Sequence, residues 1–361
     1  MESAHAVPRT DSTHQRLLDF SKAALLKIFI TPYATVCELY SGAGSYVDKW
    51  DEAHIGHYIG VDPSASAIDE NRELVEGQRR VYTADFYVLD PSMESVEPQF
   101  QEKTNQANVV ICLEHLPFCF ENEERGRMLF KNVATLLAPG GYFFGITPDS
   151  STIWAKYQKN VEAYHNRSSS LKPSVFPNCI RSENYLITFE VEEEKFPFFG
   201  KKYQLKFPNE STAETHFLVH FPSLLRLARE AGFDYIEIQN FPDFYDDNRP
   251  QLAGLLSSFG PNLVDGRGRL LPRSYDLLGL YSTFVFQKPN PDIPPPLMTP
   301  VVQLKNHNLE EVEWQGTAMV EDEKIEPVEP SPIVPPSLGK ISEQKGILGP
   351  GPADLRFPEA L

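Results

Sequence analysis

VCELYSGAGSYVDKW, residues 36–50, runs from an apolar β-rich segment through a small-residue turn into a stretch with helical spacing. A strand, turn and helix of this kind is either a ligand cradle or an ordinary tight turn, and its surroundings decide between them. Residues 14–29 upstream carry apolar side chains at helical spacing. The chain is read as strand at 35–40, helix over SYVDKW, strand at 57–61, helix at 64–76 and strand at 80–84. VVICL (109–113) is a further strand, ENEERGRMLFKNVATLL (121–137) a helix, and APGG leads into the strand YFFGIT. This alternation predicts a doubly wound α/β fold, a mostly parallel sheet with helices on both faces. From about 185 to 290 the runs YLITFEVEE, KYQLKF, FLVHF, YIEIQNF and YSTFVFQK predict the second half of the same sheet with insertions. One helix interrupts them, SLLRLAREAG, ending at Gly232.

The length of 361 residues suits one large domain, placed at 1–290, with an appendage. Residues 291–361 hold 12 acids against 5 bases and 13 of the 31 prolines. Too little apolar area lies there to offset ordering entropy, so an acidic, proline-rich, disordered tail is expected, with PSPIVPP as a possible protein-partner motif. Of the net charge of −17, the tail carries −7 and residues 1–290 carry −10. A surface that coats nucleic acid through many phosphates is thereby excluded, and any nucleic acid is gripped at a local site. No apolar run approaches the length of a membrane span and no secretory signal opens the chain, so an intracellular, membrane-free protein is expected. Cys37, Cys112, Cys119 and Cys179 show no metal-ligand spacing and are read as reduced thiols.

Gly42 and Gly44 permit close backbone approach to a ligand ahead of a helix. Asp62, 20 residues after Gly42, is expected at the end of the next strand, where a carboxylate can accept from both ribose hydroxyls of an adenosine; it could equally cap the following helix. Asp85 is expected at the strand end after that, facing an exocyclic amine such as adenine's. Three such features in order favour an adenosine-containing ligand at the sheet's carboxyl edge. Val47 takes the third glycine position of a dinucleotide fingerprint, and no P-loop is present. A cofactor without phosphate fits better, and S-adenosylmethionine is the common one.

The cofactor loop with its trailing DKW, LLAPGGYFFGITPDS, FPFFGKKYQLKF, FLVHFPSLLRLAREAGF, FPDFY and LYSTFVFQK follow one another in an order that resembles the mRNA cap guanine-N7 methyltransferases. The resemblance covers nearly all of residues 15–290, and FPFFGKKY, FLVHFP and FPDFY are its distinctive parts. It is strongest to a divergent plant branch of the family. It implies the class I S-adenosylmethionine-dependent methyltransferase fold with cap-binding insertions, capped mRNA as the partner, no metal, and a nuclear location. The basic runs GQRR and GRGRLLPR are too short to argue that location independently.

From the resemblance, Lys22 matches a lysine at the methionine part of the cofactor, Gly42 and Gly44 the loop, Asp62 the ribose acid and Asp85 the adenine-side acid. Phe86 and Leu113 complete the expected cofactor set. The chain departs from the family at several places. Tyr40 stands where the loop's first glycine is usual. The family's QFxxHY is replaced by Leu113, Glu114, His115, Leu116, Pro117 and Phe118, so stacking rests on Phe118, with His115 as a substitute histidine. The guanine-reading glutamate position holds His216. Glu214 lies two residues earlier, and in an extended segment the two share a face. Tyr281 matches a late cap-site tyrosine. Lys22, Lys201 and Lys202 are the nearest cations for a triphosphate.

Guanine N7 carries an in-plane lone pair, so its methylation needs positioning rather than a general base. A carboxylate at the ring's Watson–Crick edge offsets the charge that develops, and Glu114 and Glu214 are the candidates. Two other readings stay open: the same fold with another acceptor, and a binding module of little activity.

Overall fold

The computed structural model describes residues 13–292 apart from 79, 101–105, 167–176, 192, 194 and 209–211. These fall within one compact unit, Met1–Pro296. The expected disorder and partner motif of the tail lie outside the described residues.

A seven-stranded sheet forms the centre. Its parallel part comprises β1 (Thr35–Leu39), β2 (His57–Asp62), β3 (Thr83–Val88), β4 (Ala107–Cys112) and β5 (Leu137–Pro148). β10 (Asp234–Asn240) and β11 (Tyr281–Gln287) complete it, β11 antiparallel to both neighbours. The order is β10-β11-β5-β4-β1-β2-β3, so the chain reverses direction across the sheet between β1 and β4. Ligands in such sheets bind at the carboxyl ends beside that reversal.

Alternate residues of the central strands feed two separate apolar cores. Val36, Tyr58, Val109, Ile111 and Phe144 enter one; Cys37, Ile59, Val110 and Phe143 enter the other. The first face is covered by α1 (Thr13–Phe29) through Leu17, Phe20 and Leu25, with α2 (Val47–Glu52) and α3 (Ala65–Glu76). The second is covered by α4 (Leu116–Cys119), α5 (Glu123–Leu136) and, from later in the chain, α7 (Phe221–Glu230). Helices on both faces follow from strands buried on both faces.

α6 (Ser150–His165) leads from the sheet into the strands β6 (Cys179–Arg181), β7 (Leu186–Phe189), β8 (Lys202–Lys206) and β9 (Glu214–Phe217). These four form their own antiparallel sheet, order β6-β7-β8-β9, which corrects the expectation that they continue the central one. Only β10 and β11 return to it. The reason is pairing by short connections: each strand of the insertion finds its antiparallel neighbour locally, and Ile187, Phe189, Tyr203 and Leu205 bury one face of the small sheet in the first core. α8 (Phe241–Asp247), α9 (Arg249–Ser258) and α10 (Pro272–Leu278) pack on that core through Phe241, Leu252 and Leu277. Gly232, at φ 85°, closes α7 as expected.

One boundary shift matters for the site. β3 begins at Thr83, not near 80, because the side chain of Arg80 turns to Asp48 and Asp51 and the Thr83 N–H takes up the Gly56 carbonyl in register with β2. Among the described residues no helix is long and apolar enough to cross a membrane. Cys37, Cys112 and Cys119 are buried free thiols and Cys179 is partly exposed.

Candidate active site

The loop after β1 is held by Asp62. The last residue of β2, 8 % exposed, accepts from Gly42 N–H at 2.9 Å through Oδ2 and from Ser64 N–H at 2.8 Å through Oδ1. Ser64, not Asp62, caps α3, its hydroxyl accepting from Ala67 N–H at 3.3 Å. The capping alternative for Asp62 is thereby replaced by a loop-anchoring one. A carboxylate has about four acceptor directions, so two remain for hydroxyl donors.

Both loop glycines are at positive φ, 55° for Gly42 and 84° for Gly44. A Cβ on Gly44 would come within 2.6 Å of Asn71 Oδ1, whereas above Gly42 the space is open. Open space over a left-handed glycine, with the buried and unpartnered Ser41 hydroxyl beside it, fits a ligand resting on the loop backbone.

Tyr40, in place of a glycine, keeps a glycine-like φ of 59°. That conformation costs an L-residue about 1–2 kcal/mol. Two contacts offset it. The ring stacks on His115 at 3.6 Å between centroids, and the hydroxyl donates to Asp90 Oδ1 at 2.8 Å. Asp90 also accepts from Ser92 and pairs with Arg125 at 3.3 Å. Backbone hydrogen bonds and the Tyr40 hydroxyl outweigh burial and hold its pKa below the usual range.

Below the loop lies Glu38, 3 % exposed, which accepts from Tyr58 OH at 2.8 Å; Asn71 in turn donates to that hydroxyl at 3.2 Å. Burial pushes the Glu38 carboxyl up to about 8, against the opposing effects of the Tyr58 hydrogen bond and the Lys22 charge. Nothing in the sequence reading singled out Glu38; an acid flanked by Cys37 and Leu39 inside a strand buried on both faces was the available signal.

Lys22 is 3 % exposed on α1. Its Nζ meets Glu114 Oε2 at 2.5 Å and lies 5.5 Å from the Tyr46 ring centroid. The solvated-helix alternative for Lys22 is therefore excluded by its burial.

Beside this pair opens a small cleft that is partly open to solvent. From the expected residues it gathers Leu113, Glu114, Glu214, His216 and Tyr281. Glu214 and His216 do share a face of β9, with His216 Nε2 and Glu214 Oε2 3.2 Å apart. This contact lowers the Glu214 pKa more than partial burial raises it.

Sequence reasoning missed His14, Leu18, Thr147 and Tyr203, which line the same cleft. His14 Nε2 is 2.7 Å from Tyr281 OH, and its ring stacks on Phe207 at 3.5 Å. Burial takes its pKa down to about 4, leaving a neutral imidazole at pH 7. Among the described residues, three buried polar atoms of the cleft lining have no hydrogen-bond partner: Thr147 Oγ1, Tyr203 OH and His216 Nδ1. Buried polar atoms are normally paired, so three orphans around one cavity point to a polar ligand.

Other expected residues fall elsewhere. Asp85 is in the middle of edge strand β3, opposite Ile59, and its carboxylate faces His57 Nε2 at 3.3 Å. The later start of β3 moves it away from the strand end, where Val88 pairs with Asp62 instead. Phe86 lies opposite Gly60, with its ring centroid 6.0 Å from that of Tyr58.

His115 and Phe118 are not among the cleft-lining residues. His115 is taken up by Tyr40, and burial lowers its pKa to about 4. Phe118 bridges the two regions, 4.8 Å from the His115 centroid and 5.6 Å from that of His216. Lys201 is not a surface cation: at 3 % exposure its Nζ donates to Val191 O at 2.9 Å and sits over the rings of Trp154, Tyr157 and Phe189. Lys202 pairs with Glu190 at 3.3 Å. Among the described residues no group of three or more His, Cys, Asp and Glu is placed to hold a metal.

Residues 15–289 match the mRNA (guanine-N(7))-methyltransferase domain. The chain is 60 % identical over 359 residues to mRNA cap guanine-N(7) methyltransferase 2 of Arabidopsis thaliana, covering 99 % of this chain and 100 % of that one. It is 58 % identical over 345 residues to the protein of the same name in Oryza sativa subsp. japonica, covering 95 % and 98 %. Among solved structures, the CcbJ methyltransferase of Streptomyces caelestis is similar at 13 % identity and a TM-score of 0.43, covering 75 % of this chain and 90 % of that one.

Proposed function

The chain belongs to the mRNA (guanine-N7)-methyltransferase family, and from that premise we propose how its own residues divide the work of methylating the cap guanine. It is an S-adenosylmethionine-dependent enzyme acting on capped mRNA. The observation that carries the site assignment is the cleft with three orphaned polar atoms and two carboxylates, joined to the cofactor loop through the Lys22–Glu114 pair.

On this reading Gly42 gives the cofactor access to the backbone, and the free acceptor directions of Asp62 take its ribose hydroxyls. Lys22, an ammonium held in a buried position, takes its amino-acid carboxylate. When bound, S-adenosylmethionine supplies a methyl group on a sulfonium centre.

Glu214, kept ionised, is placed to accept from the guanine's N1–H and exocyclic amine, and so to offset the positive charge the ring acquires. Tyr203, Thr147 and His216 offer the remaining polar contacts, while Leu18, Leu113 and Ile146 supply apolar wall. Neutral His14 holds the Tyr281 hydroxyl without adding a repelling cation. N7 needs no deprotonation, so no residue is assigned as a base. The work of the site is alignment and exclusion of water.

Asp85 is left out of the cofactor set because its carboxylate faces His57. Lys201 is likewise left out of the cap triphosphate set. A nuclear place of action follows from the substrate, and residues 291–361 are the segment available for a protein partner.

The test is transfer of labelled methyl from S-adenosylmethionine to GpppG-capped RNA, with N7-methylated capped RNA and uncapped RNA as controls. Label on the first substrate alone is expected. Label on uncapped RNA, or none anywhere with cofactor binding intact, would remove the cap reading.

A further inference from the structure

One carboxylate belongs to both halves of the site. Glu114 Oε2 is 2.5 Å from Lys22 Nζ, yet its side chain is 52 % exposed and lines the guanine cleft with His14, Glu214 and His216. The lysine is the fixed member of the pair. It is buried on α1 among Leu17, Leu18, Phe20 and Ser21, and an ammonium in that position requires a negative partner. Glu114 is the movable member. It lies two residues beyond the end of β4 and two before the short helix α4, and half of its side chain already meets solvent.

The two buried acids at the ends of β1 and β2 are already committed. Asp62 is tied to two backbone N–H groups, and the Glu38 carboxyl is bound by Tyr58. An incoming carboxylate at Lys22 therefore meets Glu114 as its rival, because two carboxylates crowded against one buried ammonium repel each other.

We propose that Glu114 is an exchangeable counter-ion, held by Lys22 until the cofactor's amino-acid carboxylate takes the ammonium and then released into the cleft to accept from the cap guanine. This rests on the assignment of Lys22 to the cofactor and of the cleft to guanine. The exchange makes occupancy of one site favour the other. By reciprocity the cofactor must tighten cap binding by the same factor as the cap tightens cofactor binding.

The experiment uses the full chain, with S-adenosylhomocysteine as the carboxylate-bearing cofactor probe and GpppG as the cap probe, both by calorimetry. For the wild type, saturating S-adenosylhomocysteine is expected to tighten GpppG about tenfold. In Glu114→Gln, which keeps the side chain's size but not its charge, the two affinities are expected to become independent to within about twofold, and S-adenosylhomocysteine to bind several-fold more tightly. Coupling that survives in Glu114→Gln would overturn the exchange. Weaker S-adenosylhomocysteine binding by the variant would overturn it too, since Glu114 would then be a static part of the cofactor site. Should GpppG fail to bind the wild type, the cap reading is what falls; the S-adenosylhomocysteine affinities still decide the exchange, a gain in the variant sustaining it and equality removing it.

Discussion

In the cofactor loop the structure-making groups already have partners. Gly42 and Ser64 donate to Asp62, Tyr58 donates to Glu38, and Tyr40 is fixed by His115 and Asp90. In the cleft on the other side of the Lys22–Glu114 pair, Thr147, Tyr203 and His216 each carry a buried polar atom with no partner among the described residues. Apart from the Ser41 hydroxyl, the first region is organised before ligand arrives. The second has polar capacity that a ligand can satisfy. The contrast teaches that the cleft and the loop after β1 are held by different bonds, so that a change in the cleft's lining need not disturb the loop.

The largest expected effect tests whether the loop is an independent unit. Asp62→Ala removes the acceptor for two backbone N–H groups and the ribose carboxylate together. S-adenosylhomocysteine affinity should fall on the order of a hundredfold in calorimetry, equivalent to about 2.7 kcal/mol. Unchanged affinity would refute the cradle. On the other side, Glu214→Gln should raise KM for capped RNA about tenfold with KM for S-adenosylmethionine unchanged, since a carboxylate acceptor becomes a half-matched amide. If both constants rise together, the two regions are not separable as described.

Tyr40→Phe keeps the stack on His115 and removes the bond to Asp90. The melting temperature should drop by about 2–4 °C for each kcal/mol lost, with the chain still able to bind cofactor. The smallest effect is a pH dependence. Glu38 has a folded pKa of about 8, above its unfolded value, so its contribution to stability is complete below the unfolded value and fades as pH rises through 8. Glu38→Gln should flatten the decline in melting temperature between pH 6 and 8, a change on the order of a few degrees. A wild type that grows more stable over that window would show that Glu38 is not protonated in its buried setting.

The cofactor half was legible because its signals are close in sequence. A strand, a left-handed glycine turn and an acid at the next strand end sit within residues 36–62, where local spacing decides geometry. The expectation that Asp85 ends its strand failed on a boundary: a shift of β3 by about three residues moves a side chain about 10 Å along the strand. Lys201 failed for another reason. Beside Lys202 in a polar-looking hairpin it reads as surface, and only the aromatic rings of Trp154, Tyr157 and Phe189 reveal it as buried. The insertion strands were recognised as strands but not as a separate sheet, because pairing partners are not written in any strand's own pattern.

By itself the sequence determined the alternation of strands and helices, the glycine turn, the loop acid and the family, all of which rest on short-range periodicity and on motifs contiguous in the chain. Tertiary structure decided which residues line the cleft. His14 on the first helix, Glu114 after β4, Thr147 on β5, Tyr203 and Glu214 in the small sheet and Tyr281 on the last strand meet there from across 268 residues of chain. No local rule specifies such a meeting, because it depends on how sheets and helices bury their apolar faces against one another. That packing also stacked the ring of Tyr40, held at a left-handed φ, on His115, and set a lysine and a glutamate 92 positions apart against each other.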